Sequence, residues 1–283
     1  YVGSRASAKE GLKSISRKMG QSQMSQSAES TGQLQMGEFL GEGVSRRAYS
    51  CLIAGTVGDW KAQDGTWAGG LVFKVMKPEF YAKGLRLTDK DKVMQNEAAR
   101  LTHEFSKKNQ ITKGSEPCPV YMRTASLSKI SWEMKDASGN VVIHPGDTVL
   151  IEGKVGAVFE KFNSNSGWSC GSASTPDALS HWTWVESDGD LLVCDLQGQR
   201  GHPGVSSQET WQGHTDKYWY LFTDPAICSR DQRFGMMDLG QKDIETWFFH
   251  HKCNDLCKSL GLEGRKPRPQ MHHCQMRSTT YRP

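Results

Sequence analysis

The chain has 283 residues, enough for one large domain or two lobes around a sizeable core. Hydrophobic residues make up 36% and charged residues 23%, and a formal net charge of +4 is too small to argue for nucleic-acid binding by bulk attraction. No apolar run is long enough for a membrane-spanning helix, and a mean hydropathy of −0.60 points to polar flanks around a folded centre.

Residues 1–33 are rich in Ser, Gln and Lys and are expected to be a disordered lead-in. Gly11–Met19 could form a basic amphipathic helix for a regulatory partner, although a solvated tail explains it as well. From Gln35 the pattern becomes globular. Gly37–Tyr49 reads as strand, glycine turn, strand, and Gly70–Lys77 as a buried strand stopped by Pro78. Thr88–Lys107 reads as a helix whose apolar face carries Met94, Ala98, Leu101 and Phe105. Two strands are expected in 148–162, a helix around Asp177–Trp184, a short strand at Leu191–Cys194, and one helix over Ile244–Leu260. Residues 263–283 are basic and polar, with Pro267 and Pro269, and read as a flexible tail. The sum is an α+β pattern in two lobes, N-terminal at about 34–150 and C-terminal at about 151–262. No signal sequence opens at Tyr1, and the cysteines are spaced for metal ligation, which together suggest a reducing, cytoplasmic setting.

Three groups of residues carry chemistry. His251, Cys253 and Cys257 have metal-ligand spacing: on one helix the two thiolates, four residues apart, would leave the same face, and soft thiolates with imidazole suit Zn²⁺. A closed structural site needs a fourth ligand, for which His181 competes with His250, His272 and His273. In Leu191–Gly198 a buried strand runs into a polar end, where strand alternation would point Asp195 and Gln197 to one side for general-base and oxygen-ligand work. Asp224, before Pro225, could complete a Mg²⁺ site or simply make an Asx turn. Lys74 lies inside an apolar strand, where burial demands an anion: ATP phosphate, with Glu97 of the following helix orienting it. On the residues alone, a surface lysine on an edge strand is the better reading. Gly41–Arg46 and Gly235–Gly240 are glycine turns of low specificity.

Gly43–Arg46, Glu160–Trp168, Leu179–Trp184, Val193–Gly198, Leu221–Pro225 and Phe248–Cys257, in that order, resemble the alpha-kinases, a family of atypical Ser/Thr protein kinases, over about Gln35–Leu262. The resemblance implies a two-lobed kinase fold with a mainly β N-lobe and a zinc-stabilised mixed C-lobe, binding ATP and Mg²⁺ between them. It implies a catalytic set of Asp195, Gln197 and Lys74, with Asp195 aligning or deprotonating the substrate hydroxyl. Gln197 and Asp224 would hold Mg²⁺ and the phosphates. Lys74 and Arg46 would bind phosphates, and Glu152 would be the hinge acid near adenine. His181, His251, Cys253 and Cys257 would be the zinc ligands, and Gly235–Gly240 would lie near a protein substrate carrying Ser or Thr. No nucleic-acid or membrane partner is implied. The alternative is a catalytically inactive, zinc-stabilised pseudokinase scaffold. Residues 151–159 lack the proline often seen in the family's hinge, and the stretch from Gln199 to Trp219 is longer than usual.

Overall fold

The computed structural model describes residues 33–54, 70–109, 118–136, 138–156, 158–201 and 219–267. The lead-in before residue 33, with its Gly11–Met19 segment, the tail beyond residue 267, with His272 and His273, and most of the long stretch after Gly201 lie outside these residues.

In chain order the elements begin with β1 (Gln33–Glu42), β2 (Arg46–Ala54), β3 (Leu71–Met76), α1 (Pro78–Tyr81) and α2 (Asp89–Asn109). Then come β4 (Val120–Met122), β5 (Ala125–Lys129), β6 (Met134–Lys135), β7 (Val141–Ile143), β8 (Thr148–Gly153) and β9 (Glu160–Lys161). The remainder is α3 (Ser174–Glu186), β10 (Leu191–Cys194), β11 (Gln197–Gly201), β12 (Trp219–Thr223), β13 (Ala226–Ser229), α4 (Gln241–His250) and α5 (Asp255–Ser259). The fold is a mixed α+β one.

β1, β2, β3, β8 and β5 form an antiparallel sheet in the order β1-β2-β3-β8-β5. β3 is therefore central, not an edge, and this explains its unbroken apolar run: all six of its residues are buried. Period-two alternation sorts them. Leu71, Phe73 and Val75 enter a core with Tyr49, Ile130, Ile143, Val149 and Ile151 on one face. Lys74 and Met76 take the other face, where Met76 packs with Leu87, Ala125 and Leu150.

A second core joins the other sheets. β4, β12, β11 and β9 form a four-stranded sheet, with β4 parallel to β12, and β10 pairs with β13. Helix α2 delivers Met94, Ala98, Leu101 and Phe105 into the same core as Phe162, Leu179, Trp182, Val193 and Phe222. Its N-terminus carries one half of a capping box: Asp91 accepts from the Thr88 N–H at 2.8 Å, and also from its hydroxyl at 3.1 Å. α2 and β4 precede residue 150 yet pack with elements that follow it. Among the described residues no helix is long and apolar enough to cross a membrane.

Two local expectations are corrected. The helix expected over Ile244–Leu260 is two helices. His251 takes extended backbone angles (φ −67, ψ 128) and ends α4, and Asn254 restarts the helix by accepting from the Cys257 N–H at 2.9 Å. Cys253 thus lies in the link and not on a helix face shared with Cys257. The strand expected over Leu191–Gly198 is also two. Asp195 adopts a left-handed backbone (φ 58), which ends β10, and Gln197 opens β11 in a different sheet.

Candidate active site and metal centre

The central strand β3 holds Lys74 at 5% exposure, on the face away from the apolar core. Its Nζ lies 2.8 Å from Glu152 on the neighbouring β8, 3.1 Å from Asp224 beyond β12, and 3.2 Å from the Thr223 hydroxyl. Glu152 is buried as well, and it accepts from Thr223 and from the Gln95 amide of α2, both at 2.5 Å. Lys74 therefore has the anionic partners its burial requires. Glu97, expected beside it, instead accepts from Arg100 at 2.7 Å, one turn along the exposed side of α2. β8 packs directly against β3 and supplies the partner that α2 was expected to give.

Asp224 is shared between two cations. Arg46, at the start of β2, reaches it at 3.0 Å and also reaches Asp91 at 3.3 Å. Asp224 has a positive φ of 51, and the polar atoms bonded to its carboxylate are side-chain cations rather than the backbone amide of an Asx turn. Burial pushes its carboxyl up, but the charges of Lys74 and Arg46, helped by Lys161, outweigh this and hold it at about 2. The unfolded value is ~3.9, so between those pH values the unfolded chain binds the extra proton and stability falls as pH falls. An acid-unfolding series followed by circular dichroism should show this loss between about pH 4 and pH 2. Asp224→Asn should remove that part of the slope, and an unchanged slope would disprove the assignment.

Asp195 and Gln197 reach the same region from the other sheets. The Gln197 amide donates to the Asp224 carbonyl at 3.2 Å. Asp195 pairs with Lys161 of β9 at 2.7 Å, and Lys161 is close enough to Asp224 to lower its pKa. Gly198 is fixed by space: a Cβ there would lie 2.1 Å from the Leu221 carbonyl oxygen of β12. The residues Lys74, Glu152, Asp224, Arg46, Gln197, Lys161 and Asp195 thus form one connected polar set where the five-stranded and four-stranded sheets meet.

Sequence reasoning gave no role to Lys161, Asp91, Thr223 or Asn163. The Thr88-x-x-Asp91 capping pattern marks Asp91 as a helix-start carboxylate but not as a partner of Arg46. Asn163 is fully buried. Its amide donates to Asp177 at 3.2 Å and Ser180 at 3.1 Å, and its oxygen accepts from the Leu196 N–H at 3.0 Å, pinning the turn that presents Asp195. In the Gly235–Gly240 turn, buried Asp238 accepts from the Ser229 N–H and hydroxyl, the Phe234 N–H and the Gly240 N–H. Asp238→Ala leaves several buried donors unpaired and is expected to cost about 2–4 kcal/mol in urea unfolding. A loss below about 0.5 kcal/mol would contradict this account of the turn.

The second constellation lies where α3, the α4–α5 link and α5 converge. Ligand atoms of His181, His251, Cys253 and Cys257 all lie within 4.8 Å of one another. His181 Nδ1 is 3.2 Å from His251 Nε2 and 3.7 Å from Cys253 Sγ, and Cys257 Sγ is 3.7 Å from His251 Nε2. A tetrahedral ion with Zn–N near 2.05 Å and Zn–S near 2.3 Å would place N from N at about 3.3 Å and N from S at about 3.6 Å. His181 Nε2 meets the Arg265 carbonyl at 2.7 Å, so the other ring nitrogen is the one turned to the group. Burial pushes the His251 imidazolium down to about 3 and the Cys257 thiol up to about 12, so the bare site favours neutral groups. Of the other histidines considered, His250 stays outside, exposed at the end of α4.

The model of the Alpha-kinase family matches residues 41–257, most of the chain. The chain belongs to the alpha-kinase family. It is 33% identical over 171 residues to the alpha-protein kinase vwkA of Dictyostelium discoideum, covering 59% of this chain and 23% of that one. It is 33% identical over 133 residues to the eukaryotic elongation factor 2 kinase of Rattus norvegicus, covering 46% and 15%. This alpha-kinase chain thus spans less than a quarter of either relative. Its fold is similar to the alpha-kinase domain of myosin-II heavy chain kinase A in complex with AMP-PNP, with a TM-score of 0.58 at 23% identity over 82% of this chain and 88% of that one.

Proposed function

We propose that this alpha-kinase chain transfers the γ-phosphoryl group of ATP, with Mg²⁺, to Ser or Thr hydroxyls of protein substrates. The observation that carries the reading is buried Lys74 held between Glu152 and Asp224, with Arg46 on the same Asp224 carboxylate. Phosphoryl transfer needs positioned positive charge more than covalent chemistry. Lys74 and Arg46 supply that charge to the triphosphate, and Glu152 fixes Lys74 beside the strand that leads towards the adenine. Gln197 and Asp224 hold Mg²⁺, which neutralises phosphate charge when bound. Asp195 orients the substrate hydroxyl and takes its proton as the new P–O bond forms and ADP leaves, while Lys161 steadies the Asp195 carboxylate.

The reading extends to the architecture. The five-stranded sheet is the core of an N-lobe at about 34–150, and the second core that of a C-lobe at about 151–262, to which α2 and β4 are also packed. Nucleotide binds between them, and the Gly235–Gly240 turn faces the protein substrate. His181, His251, Cys253 and Cys257 hold Zn²⁺ as a closed structural site. Six cysteines among the described residues are outside any disulfide, which fits a reducing, cytoplasmic setting, and the segment before residue 33 is the place for a regulatory partner.

The test is labelled-ATP transfer to helical Ser/Thr peptides, with nucleotide binding and metal content measured on the same sample. Mg²⁺-dependent label on Ser or Thr is expected. ATP binding with no transfer to any substrate would replace this reading with the pseudokinase scaffold.

A further inference from the structure

After Gly153 ends β8, residues 154–156 lead from the five-stranded sheet towards β9 of the four-stranded one. Two buried side chains hold this link by its backbone, and both come from the four-stranded side. Arg123, directly after β4, donates to the Lys154 carbonyl at 2.7 Å. Gln199, in β11, accepts from the Gly156 N–H at 2.9 Å. The second contact is close: a Cβ on Gly156 would lie 1.9 Å from Gln199 Oε1. The Gly156 backbone is not left-handed, and what a side chain there would meet is the Gln199 amide, which would have to leave the Gly156 N–H.

The two ends of this arrangement matter. The link begins two residues after Glu152, the buried partner of Lys74. Gln199 follows Gln197 by two residues, with the backbone of Gly198 pressed against β12 between them. A shift of the link would therefore be felt at the phosphate-binding lysine, and a shift of β11 at the link. Surface loops rarely have two nearby backbone groups fixed by buried side chains from two different segments, and solvent would satisfy the same groups if order were not needed.

We infer that Gln199 is a positioning residue for the nucleotide: by holding the Gly156 amide it sets the backbone along which the adenine ring lies, with Arg123 as the second strap. The inference rests on the kinase reading above. Gln199 does not touch the reacting atoms, so its removal acts on nucleotide binding rather than on transfer.

The test is steady-state kinetics and ATP binding on the full chain. Gln199→Ala should raise the KM for ATP about three- to tenfold, the effect of losing one buried hydrogen bond. The kcat and the KM for the protein substrate should stay within about twofold of wild type. Gln199→Glu keeps an acceptor oxygen and should restore the KM for ATP. Gly156→Ala should raise that KM because its methyl displaces the Gln199 side chain. Adding Gln199→Ala to it should bring no further loss, since both changes remove the same contact. An unchanged KM for ATP in Gln199→Ala, when wild type binds ATP, overturns this inference alone. So does a lower melting temperature and kcat with the KM for ATP unmoved, which marks a purely structural role. A wild-type protein that binds no ATP overturns the kinase reading first and this inference with it.

Discussion

Asp195→Asn is expected to lower phosphoryl transfer by about 10²- to 10⁴-fold while leaving the melting temperature close to wild type. The separation follows from the local structure. Asp195 sits in a left-handed backbone, a conformation that Asn tolerates nearly as well as Asp and that Ala does not. Its carboxylate is partly open and pairs with the more exposed Lys161, so neutralising it strands no buried cation. Ion pairs of this kind contribute about 0–1 kcal/mol to stability. Lys74→Ala is the weaker test despite its central position. It would leave Glu152 and Asp224 without their shared cation, and breaking a buried pair in this way costs about 3–5 kcal/mol. Lost activity in that variant could therefore reflect lost structure. The decisive measurement is transfer from labelled ATP by Asp195→Asn alongside its nucleotide affinity. Wild-type turnover would remove Asp195 from the chemistry, and turnover lost together with ATP binding would make it a binding residue only.

What could be read before the structure follows from which interactions are local. The apolar face of α2 was legible because Met94, Ala98, Leu101 and Phe105 repeat at the helical period, and all four are buried. The continuous run of β3 marked a buried strand, but position within a sheet is a tertiary property. The same six residues fit an edge or a centre, so the setting of Lys74 stayed open until β2 and β8 appeared on either side. The partner of Lys74 was misassigned for the same reason. Glu97 is near a helix face in sequence terms, but Glu152 is the diagonal neighbour across the sheet, two residues along β8 from Leu150, which lies opposite Lys74, and cross-strand neighbours 78 residues apart leave no periodic signal. The breaks at Asp195 and His251 were missed because neither carries Gly or Pro. Asp195 takes its positive φ without glycine, and Asn254 serves as an N-cap inside what reads as a continuous helical pattern. Spacing alone picked out three of the four side chains that cluster at the second constellation, His251, Cys253 and Cys257. Spacing could not select His181 over its rivals, because the choice depends on α3 packing beside α5.

Removing Cys257 is expected to have the largest effect on folding. Its side chain is fully buried in the core that also holds Leu179, Val193 and Phe222, and it approaches His251, which ends α4, with Cys253 and His181 alongside. If Zn²⁺ joins these four groups, α3, the α4–α5 link and α5 are tied at one point. Structural zinc in small domains contributes about 10–16 kcal/mol at neutral pH, as much as the whole stability of a typical domain at about 5–15 kcal/mol. Cys257→Ala should therefore lose the metal and much of the cooperative melting transition, and a strong chelator should do the same to wild type. Cys194→Ala is the control. Cys194 is also fully buried, but its sulfur neighbours Cys228 at 3.9 Å rather than the metal cluster. Its loss should cost only about 1–2 kcal/mol, as for a small core truncation, and leave zinc content unchanged. Elemental analysis and thermal melts on the three proteins decide the matter. Folded wild-type protein without zinc, or a Cys257→Ala variant that melts with the Cys194→Ala control, would show that hydrophobic packing alone holds these helices together.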